Sequence, residues 1–375
     1  MIARQLCYYV LTDTKVEETE AAEIILVRSA KMHEMEFEPE VKVIARAGAG
    51  VNNIPLDRCA EQGIVVFNTP GANANGVKEL FIFAAIASIR DIVGGISWTA
   101  SQAGNADIAA LTEKGKKQFA GNEISGKTLG VIGLGAIGAK VANAAVALGM
   151  QVIGFDAFLS DAMKASLDPA VEIASSNEEV VAASDMITIH VPALPSTIGM
   201  VGRDLLAKAK DGLVVINLAR DTLVDTEAMR EALESGKVAK YVCDFPTGET
   251  SDLPNTILIP HLGASTEESE DNCAVMAVQE IRDFLENGNI KNSVNYPAVS
   301  LGKCEGTRVT VCHRADVDGA AIADILKGEG SQVAGMASKA RGDFGYTIID
   351  VDQVTPSAEQ ALKATNGIIR MRVID

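Results

Sequence analysis

Over residues 128–262 short apolar runs alternate with helical stretches, and this alternation restricts the fold more than any other feature of the chain. The runs are TLGVI (Thr128–Ile132), QVIGF (Gln151–Phe155), MITIH (Met186–His190), LVVIN (Leu213–Asn217), YVC (Tyr241–Cys243) and TILI (Thr256–Ile259). Their lengths and β-branched content predict buried strands. Helical patterns lie between most of them. TEAMREALES has Asp225 before it and Gly236 after it, both in cap positions. Strands that alternate with helices imply a parallel sheet covered on both faces.

The flanking segments extend this picture. Ile24–Val27, Val41–Ala45 and Ile64–Asn68 also read as buried strands, and a polar stretch from Ser101 to Glu123 leads to the next unit. Ser265 with Glu268 forms a capping-box pattern that opens a long helix running to about Asn287 and ending near Gly288. Residues 292–306 (NSVNYPAVSLGKCEG) read as a linker. Residues 307–375 then give the order βαββαβ, a ferredoxin-like pattern without a catalytic motif.

Composition narrows the function classes. A chain of 375 residues predicts two or three domains. The net charge of −17 repels phosphate backbones, which argues against nucleic-acid binding. An anionic substrate must then be received by a local group of cations. Six irregularly spaced cysteines without a CxxC pair read as free thiols in a reducing cytoplasm. No run of 18 apolar residues occurs, and the first residues lack a signal-peptide pattern, so a soluble cytoplasmic protein without membrane partners is expected.

Gly133-Leu-Gly135-Ala-Ile-Gly138 stands between the strand TLGVI and a helical stretch. In this setting the first glycine permits a tight turn, the second lets a pyrophosphate approach the backbone, and the third lets helix and strand pack closely. The phosphates would sit at the positive helix N-terminus. Asp156 ends the next strand, 18 residues past Gly138. Its carboxylate can accept ribose hydroxyls and repels a 2′-phosphate, and no arginine follows closely, so NAD is favoured over NADP. The structural alternative is a glycine-rich turn without a ligand, but the preceding strand, following helix and terminal acid all meet the motif's context.

Histidine suits acid–base exchange near neutral pH because its unperturbed pKa is about 6.5. The chain has four: His33, His190, His261 and His313. His261 follows TILIP, at the carboxyl end of a strand, where ligands of open α/β sheets collect. Arg220 follows LVVIN in the same way, and a substrate carboxylate could partner it. A lone histidine after a strand is more often structural. His190 reads as a pocket wall and His33 as a surface residue.

Several blocks in order, RAGAGVNNI (Arg46–Ile54), NTPGANANGVKE (Asn68–Glu79), GKTLGVIGLGAIG (Gly126–Gly138), HVPALPST (His190–Thr197), INLARDTLVD (Ile216–Asp225) and IPHLGAST (Ile259–Thr266), resemble the D-isomer-specific 2-hydroxyacid dehydrogenase family and its 3-phosphoglycerate dehydrogenase branch. The resemblance implies two doubly wound, Rossmann-like parallel-sheet domains with a cleft between them, and a C-terminal ACT-like unit. The expected divisions are 1–93 with 280–300 for a discontinuous substrate-binding domain, 94–279 for the NAD-binding domain, and 305–375 for the ACT-like domain. It implies that Arg220 holds the substrate carboxylate and that His261 is the acid/base. Glu249, 29 residues past Arg220, would pair with His261, with Asp252 as the rival. Gly133, Gly135, Ala136, Ile137, Gly138, Asp156, His190, Val191, Pro192, Thr197, Ala219, Asp244 and Gly263 would contact NAD. Arg46, Ala47, Gly48 and Lys78 would receive the substrate's far end; for Arg46 and Lys78 an ordinary cation near a helix end is an equal alternative.

Two departures matter. YVCDFPTGETSDLP differs from the family's common aspartate-valine-phenylalanine segment, and Asp221 stands where glycine usually follows the arginine. The resemblance implies oxidation of D-3-phosphoglycerate to 3-phosphohydroxypyruvate by a homodimer or homotetramer. A dehydrogenase of 2-hydroxyglutarate, glycerate or lactate, and a non-catalytic NAD-sensing binding protein, are the alternatives. In the loop Cys312–Gly319, Asp316 stands near the position of a ligand-binding asparagine and Asp318 replaces a proline, which predicts weak serine binding or none.

Overall fold

The computed structural model describes residues 8–11 and 22–375. The chain divides into two compact units, residues 1–73 with 270–375, and residues 74–269.

The first unit holds two sheets. Strands β1 (Tyr8–Leu11), β2 (Ile24–Val27), β3 (Val43–Arg46) and β4 (Val65–Asn68) pair in parallel in that order. Strands β12 (Thr307–Arg314), β13 (Val333–Arg341), β14 (Phe344–Val351) and β15 (Ile368–Ile374) form an antiparallel sheet in the order β13-β14-β12-β15. Helices Gly319–Gly328 and Pro356–Ala364 follow β12 and β14, so the βαββαβ order read from the sequence is present. These helices cover one face of the sheet through Val309, Val311, Ile322, Leu326, Ile349 and Leu362. The other face joins Cys312, Tyr346 and Ile348 to Phe67, Phe284 and Tyr296 in a second core. Such two-sided burial explains why residues 305–375 belong to the same compact unit as the first sheet.

The expected linker is part of this packing. Tyr296 is fully buried and its hydroxyl donates to Ala60 O at 2.6 Å. Val294 N donates to Val66 O, while the Asn295 amide accepts from Val66 N and donates to Ile64 O. The sequence signal was the abundance of small polar residues; here their side chains extend the edge pairing of β4 instead of leaving the chain loose.

The second unit holds seven parallel strands: β5 (Thr128–Ile132), β6 (Gln151–Phe155), β7 (Val171–Ile173), β8 (Met186–Ile189), β9 (Leu213–Asn217), β10 (Val238–Cys243) and β11 (Thr256–Leu258). Their order is β11-β10-β9-β8-β5-β6-β7, which reverses direction between β5 and β8. Ligands of doubly wound sheets collect at such a switch point, beyond the carboxyl ends of the strands. Strand β8 is buried throughout, and β9 likewise, as expected for strands covered on both faces. β7 escaped the sequence reading because it spans three residues with one buried side chain.

Helix Ala74–Ile89 packs Val77, Phe81, Ala84 and Ala85 into the core of the second unit, which moves the boundary to residue 73. The stretch expected to be a polar connection contains a helix at Ile108–Gly115 and a 3-10 turn at Lys116–Phe119. Thr266, rather than Ser265, caps the helix Glu267–Asn287: its hydroxyl accepts from Ser269 N at 3.1 Å, whereas Ser265 donates to His261 O. Among the described residues no single helix is long and apolar enough to cross a membrane.

Candidate active site

The glycine-rich turn after β5 has the features that a dinucleotide requires. Gly133 has φ +93°, and a Cβ there would meet His190 O at 2.9 Å. A Cβ at Gly138 would lie 1.9 Å from Gly133 O, so helix and strand approach too closely for any side chain. At Gly135, by contrast, a Cβ would have no neighbour within 4 Å. Gly135 is also the N-cap of helix Ala136–Ala147, and no side chain caps it. A helix start with unsatisfied N–H groups and open space beside them fits a pyrophosphate. Ala136 and Ile137 form its first residues.

Asp156 stands just past β6. Its two oxygens accept from Leu134 N at 2.9 Å and Phe158 N at 2.8 Å. The carboxylate is therefore fixed against the glycine-rich turn, with a lone pair on each oxygen left for a ribose hydroxyl. The cross-turn bond to Leu134 had no sequence signal.

Across the switch point, the turn after β8 carries His190, Val191 and Pro192. His190 Nε2 lies 3.0 Å from the Thr188 hydroxyl, and its Nδ1 is buried without a hydrogen-bond partner. Burial pushes this imidazole down to about 3, so it is neutral at neutral pH and cannot serve as the proton donor there. The orphaned nitrogen is consistent with a wall awaiting a polar ligand. Thr197 closes the turn by donating to Pro192 O at 2.6 Å and accepting from Leu194 N at 2.8 Å.

Arg220 and His261 follow β9 and β11 at the carboxyl edge of the same sheet. Asn217, fully buried at the end of β9, accepts from Ala219 N and donates to Arg220 O, which fixes the turn carrying the arginine. Arg220 is half-buried, and one guanidinium nitrogen donates to Ala219 O at 2.6 Å. Burial lowers its affinity for a proton, while Asp221 acts in the opposite sense. No ion pair joins Asp221 to Arg220 among the described residues, so the neighbouring acid has not captured the guanidinium.

His261 has φ +55°, a left-handed conformation that non-glycine residues adopt at a cost of about 1–3 kcal/mol. Asp244 holds this turn. It is fully buried just past β10, and its two oxygens accept from Leu262 N and Gly263 N, each at 2.8 Å. Burial raises its carboxyl above the usual range, with these two N–H groups opposing that rise. Sequence reasoning placed Asp244 beside the nicotinamide; the geometry adds an anchor for the His261 turn.

A residue that carried no sequence signal, Phe245, contacts both Arg220 and His261. The Phe245 ring centroid is 4.5 Å from that of His261, and the Arg220 guanidinium carbon lies 5.1 Å from the Phe245 centroid. The following loop is tied by Thr247 and Thr250 through reciprocal hydrogen bonds. Within it, Asp252 is engaged by Arg230 at 2.7 Å, and Arg230 also reaches Glu249 O. Glu249 keeps an exposed side chain, so of the two rivals it is the one not committed to Arg230.

The residues expected at the substrate's far end are divided between the two units. Arg46 ends β3, donates to Arg28 O at 3.0 Å, and folds over Gly48, where a Cβ would lie 2.1 Å from its guanidinium. Ala47 N donates to Val27 O. Lys78, in the second unit, donates to Asn75 Oδ1 at 2.6 Å and lies 3.7 Å from Glu79. His33 is exposed.

Comparison with known proteins accords with this geometry. Residues 83–263 match the family described as D-isomer specific 2-hydroxyacid dehydrogenase, NAD binding domain. A D-3-phosphoglycerate dehydrogenase of Methanocaldococcus jannaschii is 34% identical over 77% of this chain and 55% of its own length. One from Bacillus subtilis is 33% identical over 83% of this chain and 58% of its own length. The chain thus spans little more than half of these relatives. Among solved structures, a glyoxylate reductase of Paecilomyes thermophila is 30% identical with TM-score 0.61, covering 73% of this chain and 84% of that one. An NAD+-bound 3-phosphoglycerate dehydrogenase of Entamoeba histolytica is 29% identical with TM-score 0.58, covering 73% and 82%. With a dinucleotide turn, an arginine and a histidine past successive strand ends, and these matches, the chain carries, over residues 83–263, the NAD-binding domain of the D-isomer specific 2-hydroxyacid dehydrogenase family.

Proposed function

We propose that the chain is a D-3-phosphoglycerate dehydrogenase that oxidises D-3-phosphoglycerate to 3-phosphohydroxypyruvate, opening serine synthesis. The observation that carries this reading is the placement of a half-buried cation, Arg220, and a histidine, His261, both in contact with one phenyl ring at the carboxyl edge of the second sheet. The names of the relatives from Methanocaldococcus jannaschii and Bacillus subtilis support the substrate.

Arg220 binds the substrate carboxylate and draws on the C2 oxygen. His261 accepts the C2 hydroxyl proton during oxidation and returns it during reduction. Glu249 stabilises the imidazolium, and Asp244 keeps the His261 turn in place. Gly133, Gly135 and Gly138, with the open helix start at Ala136, would hold the NAD pyrophosphate. Asp156 would hold the ribose, and His190, Val191, Pro192, Thr197, Ala219 and Gly263 would line the nicotinamide side. Bound NAD supplies the hydride acceptor. Lys78 receives the phosphate end of the substrate. The chain acts as a cytoplasmic homodimer or homotetramer, and its C-terminal sheet is an ACT-like module that no longer answers strongly to serine.

The likeness to a glyoxylate reductase favours, as the second reading, a smaller 2-keto acid as substrate. NADH oxidation measured side by side with phosphohydroxypyruvate, glyoxylate and 2-oxoglutarate separates the two. The expected preference is for phosphohydroxypyruvate; a higher kcat/KM for glyoxylate sinks the first reading, and no oxidation with any of them sinks both. His261→Ala should lower kcat by about 10²–10⁴-fold, the usual contribution of a general acid–base, with little change in NADH affinity. Arg220→Ala should chiefly raise the KM of the keto acid. A His261→Ala enzyme as fast as the wild type would remove the acid–base assignment.

A further inference from the structure

The phenyl ring of Phe245 has no part in the chemistry assigned so far, yet it contacts both of the groups to which that chemistry is assigned. Its centroid lies 4.5 Å from the His261 ring, with the planes inclined at 49°, and 5.1 Å from the Arg220 guanidinium carbon. The ring is held from behind. Phe245 N donates to the Cys243 sulfur at 3.4 Å, that thiol donates back to Phe245 O at 3.5 Å, and Pro246 follows directly. Cys243 itself is fully buried at the end of β10, so the ring stands on rigid ground.

We propose that Phe245 is a positioning residue whose ring, in contact with both Arg220 and His261, holds the two groups in place. The inference rests on the functional reading above and deepens it. Its physical basis is the negative face of an aromatic ring, which attracts a guanidinium within about 6 Å. A guanidinium held on that face cannot swing freely, and its Nη1 is already tethered to Ala219 O. The same ring packs against the imidazole, which already sits on a constrained left-handed turn. Substrate binding asks that the carboxylate meet Arg220 while the C2 oxygen meets His261; a misplacement of about 1 Å can cost about a hundredfold in rate.

The ring also bears on protonation. Asp244, which holds the turn, interacts electrostatically with His261, and Arg220 contacts the same phenyl ring. The Asp244 carboxylate favours the imidazolium. Removing the ring takes away an aromatic contact of the imidazole, and its loss favours the neutral form. The pKa of His261 should fall.

The test compares Phe245→Leu, Phe245→Val and Phe245→Tyr with the wild type in the full chain. For Phe245→Leu and Phe245→Val the keto-acid kcat/KM should fall by about 10–100-fold, through both kcat and KM, while the NADH dissociation constant stays within about twofold. Phe245→Tyr, which keeps the ring, should restore most of the loss. The alkaline limb of the kcat/KM profile for keto-acid reduction should move to lower pH in the leucine and valine variants only. A chain with four histidines also permits direct titration of the His261 imidazole by NMR, assigned with His261→Asn, in the absence of any substrate. The His261 pKa should be lower in Phe245→Leu than in the wild type and recover in Phe245→Tyr. An unchanged His261 pKa in Phe245→Leu overturns the proposal whether or not the enzyme turns over a keto acid. Equal losses in the leucine and tyrosine variants, with weakened NADH binding, overturn it too, because they mark a folding defect. A wild type inert with every keto acid, but with the expected NMR shift, would fault the substrate reading alone.

Discussion

Two strand–turn–helix junctions in this chain share a local pattern and end in opposite states. After β5, the turn Gly133–Gly138 leads into helix Ala136–Ala147; after β12, the turn Arg314–Asp318 leads into helix Gly319–Gly328. The first is left open: its N-cap has no side-chain bond, and space stands free over Gly135. The second is closed on itself. Asp318 caps the helix by accepting from Ala320 N at 3.0 Å, and a Cβ on Gly319 would meet the Ser338 hydroxyl at 2.4 Å. Beneath it, buried His313 contacts Arg314 O through Nδ1 and the Thr347 hydroxyl through Nε2, and Thr347 contacts Ser338 at 2.6 Å. A glycine at a helix start thus marks a ligand site only when the protein leaves the orphan N–H groups unsatisfied; a glycine needed for packing looks the same in sequence.

The largest expected effect breaks the open junction. In Gly138→Ala the added Cβ would fall 1.9 Å from the backbone oxygen of Gly133, and backbone cannot give way as a flexible side chain can. NADH affinity should drop by about a hundredfold or more, since a shift of about 1 Å in a positioning element has effects of that size. Calorimetric titration reads this directly, with circular dichroism to check the fold. A folded variant that binds NADH within threefold of the wild type would mean that the turn does not hold the dinucleotide.

A smaller effect sharpens the same junction. Asp156→Ala removes the negative charge that opposes a 2′-phosphate, so the preference for NADH over NADPH should narrow by about tenfold, equivalent to about 1.4 kcal/mol. Part of the cost falls on both cofactors, because Asp156 also fixes Leu134 N. The ratio of kcat/KM values is therefore the quantity to measure. Equal ratios in variant and wild type would leave Asp156 with a purely structural task.

The open junction was legible in the sequence because strand, glycines, helix and terminal acid follow one another along the chain. TLGVI, QVIGF and LVVIN match β5, β6 and β9 residue for residue. Arg220 and His261 were also legible, each from its place after an apolar run. Contacts between distant segments were not. Nothing in the order of residues shows that Asp244 holds the His261 turn, or that Phe245 contacts both His261 and Arg220, because β9, β10 and β11 become neighbours only in the sheet. The polar residues of 292–306 misled for the same reason. Asn295 and Tyr296 find their partners at Val66, Ile64 and Ala60, more than two hundred residues earlier.

The smallest effect concerns the closed junction. Asp318→Ala should remove the helix cap and cost about 1 kcal/mol of stability, the usual worth of such a cap. It should leave keto-acid turnover unchanged, because the residue meets no group assigned to catalysis. Serine should have little influence on either protein. A carboxylate ligand approaching this turn meets Asp316 and Asp318, both acids, and an ionised aspartate cannot donate a hydrogen bond as an asparagine can. The nearest buried donors are already spent, since His313 is bonded on both ring nitrogens. Burial also holds the His313 imidazole below its ordinary value, so it does not supply a compensating cation at neutral pH. Turnover titrated with serine to millimolar levels, in wild type and Asp318→Ala, decides the point. Flat curves in both support a closed, structural junction. Inhibition by micromolar serine in the wild type would show that the turn opens to admit a ligand, and the contrast between the two junctions would then lie in their dynamics instead of in their static hydrogen bonding.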